Sequence, residues 1–495
     1  VRRLLVAAGV TALALAGTAA PAAAAPAPGG AGLGDRYFPD YGNGGYDVSH
    51  YDIRLRYYPG EDRLTGTTTI LATATSDLSS FDLDFILDTE SVLVNNRPAG
   101  FARQGDHELV VTPSRTLSEG QAMTIVVQYS GVPSTKVAAG YTAWIRTPDG
   151  ALAVGEPEEA WWWFPSNDHP SDKATFDVSV AVPDGVEVIS NGVQPRNPTQ
   201  ELLGWTRWYW RSAQPQATYL ASLAIGQYDI TRDVTPDGIP VINAYSTSLP
   251  PAYDAAARAS VERTAEIVAW ESSVFGPWPF EAQGGVVAPP DTLGFALENQ
   301  TRPNYSAAFF RAGANPYVIV HENAHQWFGD AVSVGQWRDI WLNEGFSSYA
   351  EWLWSEKQGE GTTDEIFDYL YAAEPAQFWT VPPGDPGAPR LFNGAVYDRG
   401  AMTLHRLRKL IGDDDFFTLL RTWVKRHRYD DATTARFIAL AENISGRSLD
   451  DFFQTWLYTP AKPALAAAAR SAAAPGVAPR SWAAIDGVHQ LVREN

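Results

Sequence analysis

The chain has 495 residues, too many for one ordinary domain, and 45% of them are hydrophobic, including 18 Trp, 21 Tyr and 21 Phe; disorder of the whole chain is excluded. A formal net charge of −20 argues against a nucleic-acid partner, which needs a basic footprint. With no cysteine, disulfides, thiol catalysis, Cys-ligated centres and a lipidated N-terminal cysteine are excluded, so any metal must be held by carboxylates and the eight histidines.

In chain order, Arg2-Arg3 precedes an apolar run from Leu4 to about Ala20, followed by small residues over 21–26. This pattern predicts a secretory signal peptide over 1–25, export to the exterior, and no stable membrane anchor after cleavage at an A-x-A site. An uncleaved anchor is the alternative, because the run is nearly long enough to span a bilayer. Both the general and the twin-arginine export routes stay open.

Alternation then dominates. Tyr51, Ile53, Leu55 and Tyr57 face one way with Asp52, Arg54 and Arg56 between them, and Phe81, Leu83 and Phe85 repeat the pattern. Phe176, Val178, Val180 and Val182 do the same, so residues 36–230 are predicted to be a β-rich domain. Within it, Trp161-Trp162-Trp163 is expected to pack in or around a strand in preference to lining a cleft.

Near Pro250 the period changes. Ala257, Val261, Ala265 and Val268 recur at helical spacing up to Gly276-Pro277, and helical signals return around 317–328, 346–354, 402–410 and 416–424. Residues 231–460 are predicted to be a mainly helical domain with some strand at its start. Residues 464–479 are nearly all Ala, Pro, Gly, Ser and Arg, which predicts an Ala/Pro-rich C-terminal tail over 461–495.

The chemistry concentrates in His321-Glu322-Asn323-Ala324-His325. On a helix, residues four apart share a face, so both imidazoles can reach one ion, with Glu322 near enough to take a proton from water. This is the HExxH zincin arrangement, and it predicts one Zn2+ per chain. Eighteen residues separate His325 from Glu344, whose helix could return a carboxylate to the metal. Two His and one Glu leave the fourth position for water, as hydrolytic zinc sites require.

The HExxH–18–E spacing, with Trp327-Phe328-Gly329 and the run from Asn343 to Phe346, resembles the aminopeptidase N family, the M1 gluzincins. The likeness covers most of the chain. Gly45-Tyr46-Asp47-Val48 with His50-Tyr51 resembles the family's opening strand. Phe164-Pro165, Asp168, Pro170 and Lys173-Ala174-Thr175-Phe176 resemble its signature ahead of a core strand. Phe295-Ala296-Leu297-Glu298-Asn299 is similar to the family's G-x-M-E-N stretch. The resemblance implies that Glu298 anchors the substrate's free α-amine and that its neighbours Ala296 and Asn299 bind substrate, although Phe295 stands where the family has glycine. Glu156, in Gly155-Glu156-Pro157, matches the second amine-binding acid, although Val154 replaces the usual glutamine two residues earlier. The run from Val396 to Ala401 resembles the segment carrying the family's catalytic tyrosine, which implies that Tyr397 donates to the oxyanion.

The family likeness implies a multidomain fold: an N-terminal all-β saddle, then a thermolysin-like α/β, mainly helical gluzincin catalytic domain, with the active site between them. It implies a short, secreted bacterial form without the family's large helical C-terminal domain, acting as a monomer on peptides with a free N-terminus. The activity implied is a zinc aminopeptidase. A secreted zincin endopeptidase is the nearest rival. A non-catalytic binding protein on the same scaffold is opposed by the intact Glu322 and ligand set. His50, His107, His169, His405, His427 and His489 lack ligand spacing and are read as structural or exposed.

Overall fold

In the computed structural model, residues 25–138, 140–465 and 477–493 are described. The expected signal, apart from Ala25, and residues 466–476 of the expected tail lie outside them. The alternating segments pair as their period requires. Tyr46–Tyr58 sits within an eight-stranded sheet, antiparallel to Arg63–Ala74 and parallel to Ala174–Pro183. Tyr51, Ile53, Leu55 and Tyr57 are buried, while Asp52 and Arg54 face solvent. Two four-stranded sheets complete this β-rich unit, one containing Leu78–Asp84 and the other Leu223–Gly226. Trp161, Trp162 and Trp163 are all buried in its core, as packing predicts.

The second unit begins with a five-stranded sheet whose first strand, Tyr228–Val234, starts slightly before the expected boundary at 231. It pairs with Pro240–Ser246, which runs parallel to Gln283–Val287; Asn304–Tyr305 follows, and Ala296–Leu297 forms the edge. Helices follow as α1 (Pro251–Val261), α2 (Thr264–Phe275), α3 (Pro316–Ala324), α4 (Trp341–Gln358), α5 (Thr363–Ala373), α6 (Gly394–Ile411), α7 (Asp413–His427), α8 (Thr434–Ser445), α9 (Asp450–Phe453) and α10 (Trp482–Arg493). The sheet has two partners. Ile242, Ala244 and Val286 join the core of the β-rich unit, whereas Tyr245, Val287 and Tyr305 join the helical core. Successive strand residues face opposite sides, so one sheet closes both cores.

The units are also tied by polar contacts. Asp35 accepts from the backbone N–H of Trp337 over 2.7 Å, and half-buried Lys173 donates to the carbonyl of Asp330 over 2.7 Å. Ser333 donates to the carbonyl of Pro170 over 2.9 Å. Among the described residues, no helix is long and apolar enough to cross a membrane.

One expectation is corrected. Residues 461–495 are not uniformly a tail, because α10 docks on the helical core with Ile485 and Val488 buried. The low-complexity run from 464 to 479 ends before Trp482, and Trp482, Ile485 and Val488 recur at helical spacing beyond it.

Candidate active site

Helix α3 starts cleanly because Asn315 caps it, its side-chain oxygen accepting from the N–H of Tyr317 over 3.1 Å, and because Pro316 needs no donor in the first turn. The helix is buried, and His325 sits at its C-terminal cap. His321 and His325 therefore project from one face. Helix α4 supplies Glu344 in its first turn, with Oε2 3.4 Å from Nε2 of His321 and 3.4 Å from Nε2 of His325.

The other nitrogen of each imidazole is committed. Nδ1 of His321 lies 2.5 Å from Oε1 of Glu351, and Nδ1 of His325 donates to the carbonyl of Phe328 over 3.1 Å. Both Nε2 atoms are thereby turned toward Glu344. Both carboxylate–imidazole spacings match the roughly 3.3 Å edge expected of a tetrahedron with zinc–ligand bonds of about 2.0–2.1 Å. The chemistry fits too: two imidazole nitrogens and one carboxylate suit zinc.

Helices α4 and α6 cross closely at Gly345 and Gly400. A Cβ added to Gly345 would lie 2.9 Å from Cα of Gly400, and the reverse distance would be 2.8 Å. Only glycine at both positions permits this approach. It brings Tyr397, just under one turn before Gly400, against the site, its ring stacked on His321 with centroids 6.0 Å apart.

A cavity of about 480 Å³ opens over these groups. His321, Glu322, His325, Glu344, Tyr397, Glu156, Glu298 and Ala296 all line it, together with Phe295 and Phe392. Tyr141, Thr142, Ala143, Ile145 and Val154 close it from the β-rich unit, so the cavity lies between the two units. Asn299 is placed differently from the other expected site residues. It does not line the cavity, because its amide is turned inward, donating to the carbonyl of Leu220 and accepting from Asn304 over 2.8 Å.

Two carboxylates face this cavity beside the histidine–glutamate set. Glu298 follows the edge strand Ala296–Leu297, and the Tyr219 hydroxyl donates to its Oε1. Its backbone carbonyl accepts from Gln326 over 2.6 Å, which ties the loop to the turn after α3. Glu156 is half-buried, and its buried Oε1 has no hydrogen-bond partner among the described residues. Burial first, and then the charges of Glu298 and Glu344, push the Glu156 carboxyl well above the usual range. Burial also raises Glu298 and carries Glu322 up to about 8, against the pull of the two imidazoles. Glu344 goes the other way: burial would raise it, but the adjacent His325 and hydrogen bonds from both histidines bring it down to about 2. Two acids that line one cavity, one with an unpartnered buried oxygen, can receive a cation.

Sequence reasoning passed over Tyr219, Gln326, Glu351 and Asp398 and took His489 as structural or exposed. Glu351 was legible, since it lies seven residues after Glu344 on the same helical face. The others carry no local pattern.

Residues 48–220 match the family model described as the peptidase M1 N-terminal domain, and residues 303–456 match the peptidase family M1 domain. Glutamyl aminopeptidase of Bos taurus is 25% identical over 446 residues, covering 82% of this chain and 46% of that protein. Aminopeptidase M1 of Arabidopsis thaliana is 24% identical over 466 residues, covering 84% of this chain and 50% of that protein. The chain thus spans about half the length of the curated relatives it matches. An M1 zinc metallopeptidase from Deinococcus radiodurans superposes with a TM-score of 0.78 at 28% identity, over 90% of this chain and 100% of that one. A mutant of that protein bound to the substrate Tyr-Ser-Ala gives a TM-score of 0.77 at 28% identity, over 88% of this chain and 99% of that one.

Proposed function

The chain belongs to peptidase family M1, and from that premise we propose that it is a zinc aminopeptidase that removes the N-terminal residue of peptides. The observation that carries the reading is the pair Glu298 and Glu156 in the cavity that also holds His321, His325 and Glu344. An ammonium between those two acids neutralises charges that burial otherwise penalises. A blocked N-terminus offers no such charge, so cleavage is counted one residue in from a free end. An endopeptidase has no use for this pair. The tripeptide bound by the Deinococcus radiodurans relative supports the same reading.

His321, His325 and Glu344 would hold the zinc, which supplies Lewis acidity toward a carbonyl oxygen and water. The remaining work falls to the chain's own groups. Glu322 takes a proton from the attacking water and returns it to the leaving amine. The Tyr397 phenol donates to the oxyanion as the carbonyl carbon becomes tetrahedral. The edge strand at Ala296 offers backbone groups to the substrate main chain, and Phe295 walls the cavity beside it. The β-rich saddle is taken as 36–230 and the peptidase domain as 231–460, the two enclosing the site.

We further propose that the enzyme is exported by the signal over 1–25 and acts outside the cell as a monomer. Hydrolysis of amino-acid arylamides, compared with their N-acetylated forms and with and without a chelator, tests the central reading. Activity on free amines that acetylation and chelation both abolish is expected. Equal cleavage of the acetylated substrates would mean an endopeptidase.

A further inference from the structure

We propose that His489, delivered by the C-terminal helix α10, is a positioning residue for the ligand His321, acting through Glu351. The inference rests on the reading of His321 as a metal ligand. Nε2 of His489 lies 3.1 Å from Oε1 of Glu351, and the same oxygen lies 2.5 Å from Nδ1 of His321. On its other side, Nδ1 of His489 lies 3.0 Å from Oδ1 of Asp398. The chain Asp398–His489–Glu351–His321 thus links α6, α10, α4 and α3 through side chains at most 4% exposed.

None of Glu351, Asp398 and His489 lines the cavity, so none is placed to touch substrate. Their reach is nevertheless short. The His489 ring lies 6.0 Å from that of His321 and 5.8 Å from that of Tyr397, centroid to centroid. A buried carboxylate that orients a ligand imidazole needs its own partner, or it turns away toward any available donor. Among the described residues, Oε2 of Glu351 has no hydrogen-bond partner, so Oε1 carries the orientation, with His489 as its second contact.

Packing alone does not account for an imidazole here. Helix α10 is already docked by Ile485 and Val488, and Ser355 donates to Ser481 over 2.7 Å just before the helix begins. A histidine held between two carboxylates adds cost unless its bonds serve a purpose. The geometry points to one: fixing the Glu351 carboxylate, and through it the angle at which the His321 imidazole faces the metal.

The test uses the full chain carrying His489→Ala, His489→Gln or, as a packing control, Ile485→Ala. Removing an outer partner of a metal-binding histidine commonly costs 10–100-fold in affinity. His489→Ala is expected to weaken zinc about 10-fold in competition with a chelator and to change the visible spectrum of the cobalt-substituted protein. It should lower kcat on an amino-acid arylamide while KM stays within about twofold. His489→Gln, which keeps one donor toward Glu351, should recover part of each loss. Ile485→Ala should lower the melting temperature and leave zinc affinity and spectrum unchanged. Wild-type zinc affinity and cobalt spectrum in His489→Ala would overturn the inference, as would the same losses in Ile485→Ala. Should the alanine variant fail to fold, the glutamine variant carries the test on the same readouts. Metal readouts that respond as expected in a protein inactive on free amines would leave the inference standing and remove the aminopeptidase reading.

Discussion

The hydroxyl of Tyr219, on the β-rich unit, donates to Oε1 of Glu298 over 3.0 Å, and both residues are at most 2% exposed. Glu298 lies on the other unit, so the proposed amine-binding acid is aimed by a residue from across the interface. Glu298→Gln should cost about 2–5 kcal/mol in kcat/KM on free-amine arylamides, the range for removing one partner of a buried charged pair. Tyr219→Phe should cost less, about 1.5–3 kcal/mol, the range for a hydrogen bond to a charged group. Steady-state kinetics check both; losses of equal size would mean that Tyr219 does more than orient the carboxylate.

Tyr397 stacks on His321 with ring planes 19° apart. Its proposed bond forms chiefly in the transition state, so Tyr397→Phe should lower kcat by about 10²–10³ and change KM by less than about twofold. A parallel loss in KM, measured on the same arylamide, contradicts that role.

Glu322 is not counted among the three ligands. Glu322→Gln should keep zinc at wild-type stoichiometry and lose nearly all turnover. Elemental analysis beside the activity assay separates this from a ligand's role, because Glu344→Gln should lose both.

Zinc removal should also destabilise the fold. Without the ion, a carboxylate and two imidazoles remain buried together with Glu298 and Glu322. Ligand linkage then predicts a lower melting temperature in chelator, recovered by added zinc and rising with its free concentration. A melting temperature indifferent to zinc would place the metal elsewhere.

Glu108 offers a pH test away from the active site. Burial first, and then the charges of Asp82 and Asp40, raise its carboxyl from an ordinary value of 4.5 to about 8. Between those two values the native state binds more protons than the unfolded one. The contribution of Glu108 to stability is therefore complete below about pH 4.5 and is lost as the pH rises through about 8. Glu108→Gln cannot titrate, so its melting temperature should fall less than the wild type's between pH 5 and 8. Parallel curves in differential scanning calorimetry would contradict this.

Much of the site was legible because its pattern is local. The four-residue step from His321 to His325 needs only helical geometry, and Glu344 is the acid of a nearby helix start. The alternation from Tyr51 to Tyr57 named a buried face for the same reason. Asn299, two residues past the edge strand, turns its amide inward to Leu220 and Asn304, and a motif does not say which of its side chains face substrate. The C-terminal segment was misread because its alanine-rich stretch masked the apolar face of Trp482, Ile485 and Val488.

By itself, the sequence determined the two kinds of secondary structure, the histidine–glutamate set and the exclusion of thiol chemistry. Each follows from residue type and from periods of two and 3.6. Only the tertiary structure decided that Gly345 and Gly400 touch and set Tyr397 beside His321. It also decided that Tyr219 aims Glu298 across the interface, and that His489, 145 residues beyond Glu344, returns to Glu351. Such contacts join positions far apart in the chain, and the packing of whole helices and sheets, which no local period encodes, selects them.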